Sequence, residues 1–208
     1  QIAEGSMLPS GKMPYEVFIP AYRDEILSDT VMVYGNVDEV ELVLNGKTIR
    51  RQTADKGPDS DYIPVPNGGN GKNLHFPPFT FYGVPKERGV LEAVGYHQGK
   101  KVAEYTVKTP GVPERLDITY FESGKPATKN DLLIVYVRML DKQGVLCPVN
   151  GIPVELSVQG GEIVGPTSYP LEAGVASFLV RTGEISKINI NATGKGFSTR
   201  KSLKVGKE

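Results

Sequence analysis

Val40-Glu41-Leu42-Val43-Leu44-Asn45-Gly46-Lys47-Thr48-Ile49 decides the fold. Val40, Leu42 and Leu44 recur with a period of two, which places them on one face of a β-strand and leaves Glu41 and Val43 on the other. Asn45-Gly46 follows, and that pair suits a type I′ turn, in which both central residues take positive φ. The reading is a β-hairpin with Val40, Leu42 and Leu44 turned into a core.

The pattern repeats outward from this hairpin. Short runs rich in β-branched and aromatic residues lie at Tyr15 to Ala21, Thr30 to Tyr34, Lys47 to Thr53, Phe79 to Tyr82, Val90 to His97 and Lys101 to Val107, with 24 glycines and 16 prolines scattered between such runs along the chain. Turn residues at that spacing predict an all-β sandwich. A second hairpin is expected at Gln98-Gly99. Thr53 to Asn73, with Pro58, Pro64, Pro66 and Gly68-Gly69-Asn70-Gly71, reads as a long exposed loop and the first place to look for a ligand. Only Tyr22 to Ser28 hints at helix, and for no more than one turn.

Thr109-Pro110-Gly111-Val112-Pro113 breaks the pattern with two prolines and a glycine in five residues. Beyond it the strand runs resume at Arg115 to Phe121, Leu132 to Leu140, Val154 to Val158, Val175 to Val180, Ile185 to Ala192 and Ser198 to Val205. The chain has 208 residues, about twice a small sandwich of roughly 100 residues. Two consecutive immunoglobulin-like antiparallel β-sandwich domains are therefore expected, at 14–110 and 113–208, with 1–13 as a linker.

Charge and cysteine narrow the functions open to such a chain. Lys plus Arg number 24 and Asp plus Glu number 24, so no basic excess drives counterion release, and Arg50-Arg51 and Lys100-Lys101 are too short to form a nucleic-acid-binding stripe. No apolar run approaches the ~18 residues of a membrane span, and no basic-then-apolar leader opens the sequence. An exported protein would then carry its signal upstream, making this chain a piece of a longer polypeptide. The single Cys147 cannot form an internal disulfide. Flanked by Val145-Leu146 and Pro148, it reads as a half-buried, inert thiol.

Several residues invite a catalytic or ligand-binding reading. Glu39 and Glu41, two apart on one strand, share a face at about 6.6 Å, but that face is the polar one, and the solvated reading prevails over a hydrolytic pair. Asp55, Asp59 and Asp61 offer oxygen ligands without a matching calcium-loop pattern. His75 and His97 have no ligand-spaced partners. No catalytic, metal or cofactor site is assigned. The chain has 10 tyrosines and no tryptophan. Tyr62 and Tyr82, which flank the long loop, are the candidates for carbohydrate contact by ring stacking, beside the plainer reading of half-buried strand tyrosines.

A resemblance adds what spacing cannot. Val31-Met32-Val33-Tyr34-Gly35-Asn36-Val37-Asp38-Glu39-Val40-Glu41-Leu42-Val43-Leu44-Asn45-Gly46-Lys47 resembles the strand pair that follows the catalytic barrel in family 2 glycoside hydrolases of the bacterial β-galactosidase type, and Leu74 to Thr80 and Gly89 to Tyr96 resemble the same domain's later strands. Val137 to Gly144 and Ile190 to Gly196 are similar to the bacterial immunoglobulin-like domains that end many such enzymes. The resemblance implies a non-catalytic C-terminal accessory region of a periplasmic or secreted hydrolase. Its partners would be the catalytic barrel of the parent chain and a polysaccharide or oligosaccharide. The family's catalytic glutamates lie on that barrel, which needs about 250 residues not present here, so none is carried over. The alternative is a free-standing carbohydrate-binding or adhesive pair of immunoglobulin-like modules.

Overall fold

A computed structural model describes residues 14–19, 29–55, 76–120 and 126–206. The chain divides into two compact units, Gln1–Thr109 and Pro110–Glu208. Both are built of antiparallel strands, and no helix occurs among the described residues. Residues 1–13, the single-turn candidate at Tyr22 to Ser28, and the stretch 56–75 that holds most of the long loop, with Asp59, Asp61, Tyr62 and His75, lie outside the described residues.

In the first unit β1 (Val17–Phe18), β2 (Val31–Gly35) and β5 (Phe79–Phe81) form one sheet in the order β1-β2-β5. The other sheet contains β3 (Glu39–Leu44), β4 (Lys47–Thr53), β6 (Val90–His97) and β7 (Lys100–Lys108) in the order β4-β3-β6-β7. The alternation in β3 is carried through: Val40, Leu42 and Leu44 are buried while Glu39, Glu41 and Val43 are half-buried on the outer side. They join Val17, Ile19, Val33, Phe79, Phe81, Leu91 and Ala93 in one core. At about 1.5–3 kcal/mol for each large apolar side chain removed from water, this cluster supplies the main favourable term of the unit.

Asn45 and Gly46 turn the first hairpin with φ of 51° and 77°, the left-handed pair that the type I′ geometry requires. Gln98 and Gly99 turn the second, with φ of 49° and 75°. Both hairpins stand where the sequence places them.

The second unit has two four-stranded sheets. One is β12-β10-β14-β15, from β10 (Pro153–Gln159), β12 (Ser168–Pro170), β14 (Lys187–Gly194) and β15 (Phe197–Lys204). The other is β11-β13-β9-β8, from β8 (Pro113–Tyr120), β9 (Leu132–Asp141), β11 (Gly161–Ile163) and β13 (Val175–Thr182). Their inner faces close over Ile118, Val135, Val137, Met139, Leu171, Phe178, Val180, Ile188 and Ile190. Cys147 belongs to this core and is buried, a correction to the half-buried position read from its neighbours. An isolated bridge between Leu140 and Leu146 folds the segment after β9 inward and takes the thiol with it.

Candidate functional site

The Glu39–Glu41 strand was the sequence's nearest approach to a carboxylate pair, and its outer face carries a connected polar constellation among the described residues of the first unit. Arg51 stands opposite Glu41 in register but reaches diagonally to Glu39, with Nη2 at 2.6 Å from Oε2. The same guanidinium lies 3.7 Å over the Tyr96 ring, a cation–π contact. The Tyr96 hydroxyl donates to Glu41 Oε2 at 2.7 Å, and Thr48 Oγ1 donates to Glu41 Oε1 at 2.8 Å.

These bonds decide what the carboxyls can do. The Tyr96 hydroxyl, then Thr48, hold the Glu41 carboxyl below its usual range, and the same bond pushes the Tyr96 phenol up. A glycosidic general acid needs the reverse, a carboxyl kept protonated near neutral pH by an apolar pocket. The constellation also sits on an open sheet face beside solvent-exposed strands. Local pattern could mark Glu41 as outward-facing, but Tyr96 is 55 residues away and its part in the network was missed.

Three side chains of the motif tie loops to this sheet. Asn45 Nδ2 donates to the Arg88 carbonyl at 3.1 Å, and its Oδ1 accepts from Val90 N at 2.9 Å. Gly89, with φ of 144°, is required there, because a Cβ at that position would fall 1.8 Å from Asn45 Oδ1. Asn36 likewise accepts from Glu16 N and donates to the Pro14 carbonyl, both at 2.7 Å, so it mimics a strand partner for the chain leading into β1. Asp38 accepts from Gln98 N at 2.7 Å and meets His97 Nδ1 at 3.0 Å. The Gln98 bond, with help from His97, keeps the Asp38 carboxyl below its ordinary range. Tyr15 stacks on His97 with ring centroids 4.7 Å apart.

The remaining candidates fall elsewhere. Tyr82 is half-buried just after β5, and Tyr62 lies outside the described residues. Asp55 spends both oxygens on Thr80, accepting from its N at 3.2 Å and from its Oγ1 at 2.5 Å. Among the described residues no three His, Cys, Asp or Glu side chains converge on a metal position. Nor is any helix there long and apolar enough to cross a membrane.

In the second unit Asp141 is a buried carboxylate, 2% exposed. Its Oδ2 accepts from Gly111 N at 2.7 Å, while Oδ1 accepts from Gln143 N at 2.9 Å and Val145 N at 2.8 Å. The Gly111 bond leads these in holding the carboxyl below the usual aspartate range. Cys147 Sγ lies 3.6 Å from the Gly111 carbonyl. Burial, and then the Asp141 charge, push its thiol up, away from the thiolate that a nucleophile needs.

Comparison with known proteins places the chain. Residues 28–103 match the model of a family described as a domain of unknown function, DUF4982. The fold also matches a solved β-glucuronidase of glycoside hydrolase family 2, with a TM-score of 0.71 at 20% identity, over 93% of this chain and 20% of that one. A β-galactosidase of Thermoanaerobacter pseudethanolicus is 30% identical over 176 residues, 79% of this chain and 22% of the relative. A β-galactosidase of Rhizobium radiobacter is 30% identical over 112 residues, 53% of this chain and 81% of that protein. The chain belongs to glycoside hydrolase family 2. This family 2 segment is a β-sandwich region of the β-galactosidase type, and it spans about a fifth of the Thermoanaerobacter relative. The motif of residues 31–47, which carried the resemblance, falls within the matched residues 28–103.

Proposed function

We propose that this chain is the C-terminal accessory region of a secreted or periplasmic β-galactosidase-like hydrolase, that it carries no hydrolytic activity of its own, and that it buttresses the catalytic barrel of the parent polypeptide. The observation that carries the reading is the state of Glu39 and Glu41. They are the one pair of carboxyls spaced for sugar chemistry in the motif that resembles the family, and both are committed to partners on an open face. Glu41 is held as a carboxylate, unable to protonate a leaving oxygen at neutral pH. The share of the longer relatives that the chain matches fits a region added to a catalytic body.

The test is turnover by the purified 208-residue chain on a nitrophenyl galactoside. No release of nitrophenol above the uncatalysed rate is expected. Hydrolysis abolished by Glu39→Gln or Glu41→Gln would overturn the reading. Calorimetric titration with galactosides probes the sugar-binding alternative. Affinity weaker than about 1 mM, or roughly 4 kcal/mol, is expected; tight binding lost in Tyr62→Ala or Tyr82→Ala would make the chain a carbohydrate-binding module instead.

A further inference from the structure

The hairpin of β14 and β15, residues 187–204, holds five cations, Lys187, Lys195, Arg200, Lys201 and Lys204, and no Asp or Glu. The other two strands of the sheet add one acid, Glu155 of β10. A period of two divides these residues between the faces. Ile188, Ile190, Ala192 and Leu203 are buried inward, and Lys201 goes with them, its Nζ 5.4 Å from the centre of the Tyr120 ring. Outward stand Lys187, Asn189 and Asn191 of β14, opposite Lys204, Ser202 and Arg200 of β15.

Two features of this outer face serve no packing. Lys187 and Lys204 are direct cross-strand partners, with Cβ atoms about 5 Å apart, and like charges so placed destabilise a sheet. Among the described residues no carboxylate pairs with either lysine or with Arg200. Asparagine is depleted from strands, yet two of them share the exposed face of β14. Asn189 Oδ1 accepts from Ser202 Oγ at 2.6 Å, and among the described residues its Nδ2 has no acceptor. Local preference that gives way without a gain in packing marks a functional surface.

We infer that the outer face of β14 and β15 binds a linear acidic polysaccharide, with its carboxylate or sulfate groups on Arg200 and the Lys187–Lys204 pair and its hydroxyls on Asn189, Asn191 and Ser202. Arg200 and Lys204 stand about 13 Å apart along one strand, so anionic groups are met at intervals, and Ser202 and Asn189 fill the gap between them. An asparagine amide both donates and accepts, as sugar hydroxyls do. The outward positions of the two strands present no aromatic ring on which a nucleic-acid base could stack and no apolar side chain to enter a membrane. The inference goes beyond the accessory-region reading and does not depend on it, because the face belongs entirely to the second unit.

The test is calorimetric titration of the 208-residue chain at low salt with polygalacturonate and with dextran sulfate, and with dextran as the neutral control. Binding to at least one polyanion and not to dextran is expected, and the tighter of the two names the anionic group. Lys187→Gln with Lys204→Gln should weaken that binding about tenfold. Lys100→Gln with Lys108→Gln, an equal loss of charge from exposed positions of β7, should leave it unchanged. Asn189→Thr with Asn191→Thr suits a strand better and should weaken binding without lowering the melting temperature. No binding to either polyanion, equal binding to dextran, an equal loss in the β7 variant, or full affinity in the asparagine variant would overturn the proposal. Double-stranded DNA or phosphatidylserine vesicles bound at least as tightly would make the partner another kind of polyanion and overturn it as well. The accessory reading is untouched by these outcomes, since its own test is turnover.

Discussion

The two units tie down their loops with different chemistry. In the first, two ties are asparagine amides near the surface, Asn45 holding Arg88 to Val90 and Asn36 holding Pro14 to Glu16, beside the carboxylates of Asp38 on Gln98 and Asp55 on Thr80. In the second they are polar groups taken out of water. Asp141 gathers the amides of Gly111, Gln143 and Val145, and Thr182, 1% exposed, donates from Oγ1 to the Thr128 carbonyl at 2.6 Å and accepts from Asp131 N at 2.8 Å. The difference matters because a broken surface tie is repaired by water, whereas a broken buried tie leaves its former partners without any. The second unit should therefore be the more sensitive to loss of a single polar atom.

The largest effect is expected from Asp141→Asn. An amide keeps one acceptor oxygen and turns two donors toward backbone N–H groups that are themselves donors. A fall of about 5–10 °C in the melting of the second unit is expected, with faster amide exchange along β9 and none along β3. Because the folded state holds the Asp141 carboxyl below its ordinary range, its contribution is present at neutral pH and lost as pH falls through and below the ordinary aspartate range. Asp141→Asn should accordingly remove part of the acid dependence of that transition. An unchanged acid profile would mean that the cluster of amides does not act on stability through the charge. Next in size, Thr182→Val keeps the shape, strands Asp131 N and the Thr128 carbonyl, and should cost about 1–3 kcal/mol by denaturant titration.

The same contrast explains what the sequence could reveal. The core of β3 was legible because Val40, Leu42 and Leu44 carry a strict period, and the turn because Asn45-Gly46 names its own φ angles. The strands β11 and β12 were missed. Each is three residues long, and Gly161-Glu162-Ile163 and Ser168-Tyr169-Pro170 have no alternation of their own; they are strands only because β13 and β10 offer them an edge. Glu39 and Glu41 read correctly as residues of the outer face, yet the stack of Arg51 on Tyr96 depends on pairing across β4, β3 and β6, which no local window contains. Asp141 carries no local signal of its role. Its partner Gly111 is 30 residues earlier, a separation that no local window spans.

Asn45→Gly separates the two roles of the first unit's asparagine. Glycine accepts the positive φ of the turn, so the hairpin should survive, but the bonds to Arg88 and Val90 are lost. A cost of about 0.5–1.5 kcal/mol is expected, with faster exchange at Val90 and little change at Leu42. Exchange that rises equally at Leu42 would show that the clasp supports the whole sheet, and the surface ties of the first unit would then rank with the buried ones of the second.

The smallest effect comes from carrying the first unit's turn into the second. Lys195-Gly196 joins β14 to β15 with φ of 50° and 81°, the geometry that Asn45-Gly46 adopts between β3 and β4. Lysine has no local means of offsetting the left-handed conformation, which costs an L-residue roughly 1–2 kcal/mol, whereas asparagine is several-fold enriched there. Lys195 is exposed, so its replacement disturbs no packing. Lys195→Asn should therefore stabilise the second unit by a fraction of that cost, about 0.5 kcal/mol, seen as a higher denaturant midpoint at unchanged slope. A neutral result would mean that the β14–β15 pairing, which extends over the whole of both strands from Lys187 opposite Lys204 to Gly194 opposite Phe197, fixes the turn without help from its central residue. The first unit's Asn45 would then owe its place to the clasp on Arg88 and Val90 rather than to the turn.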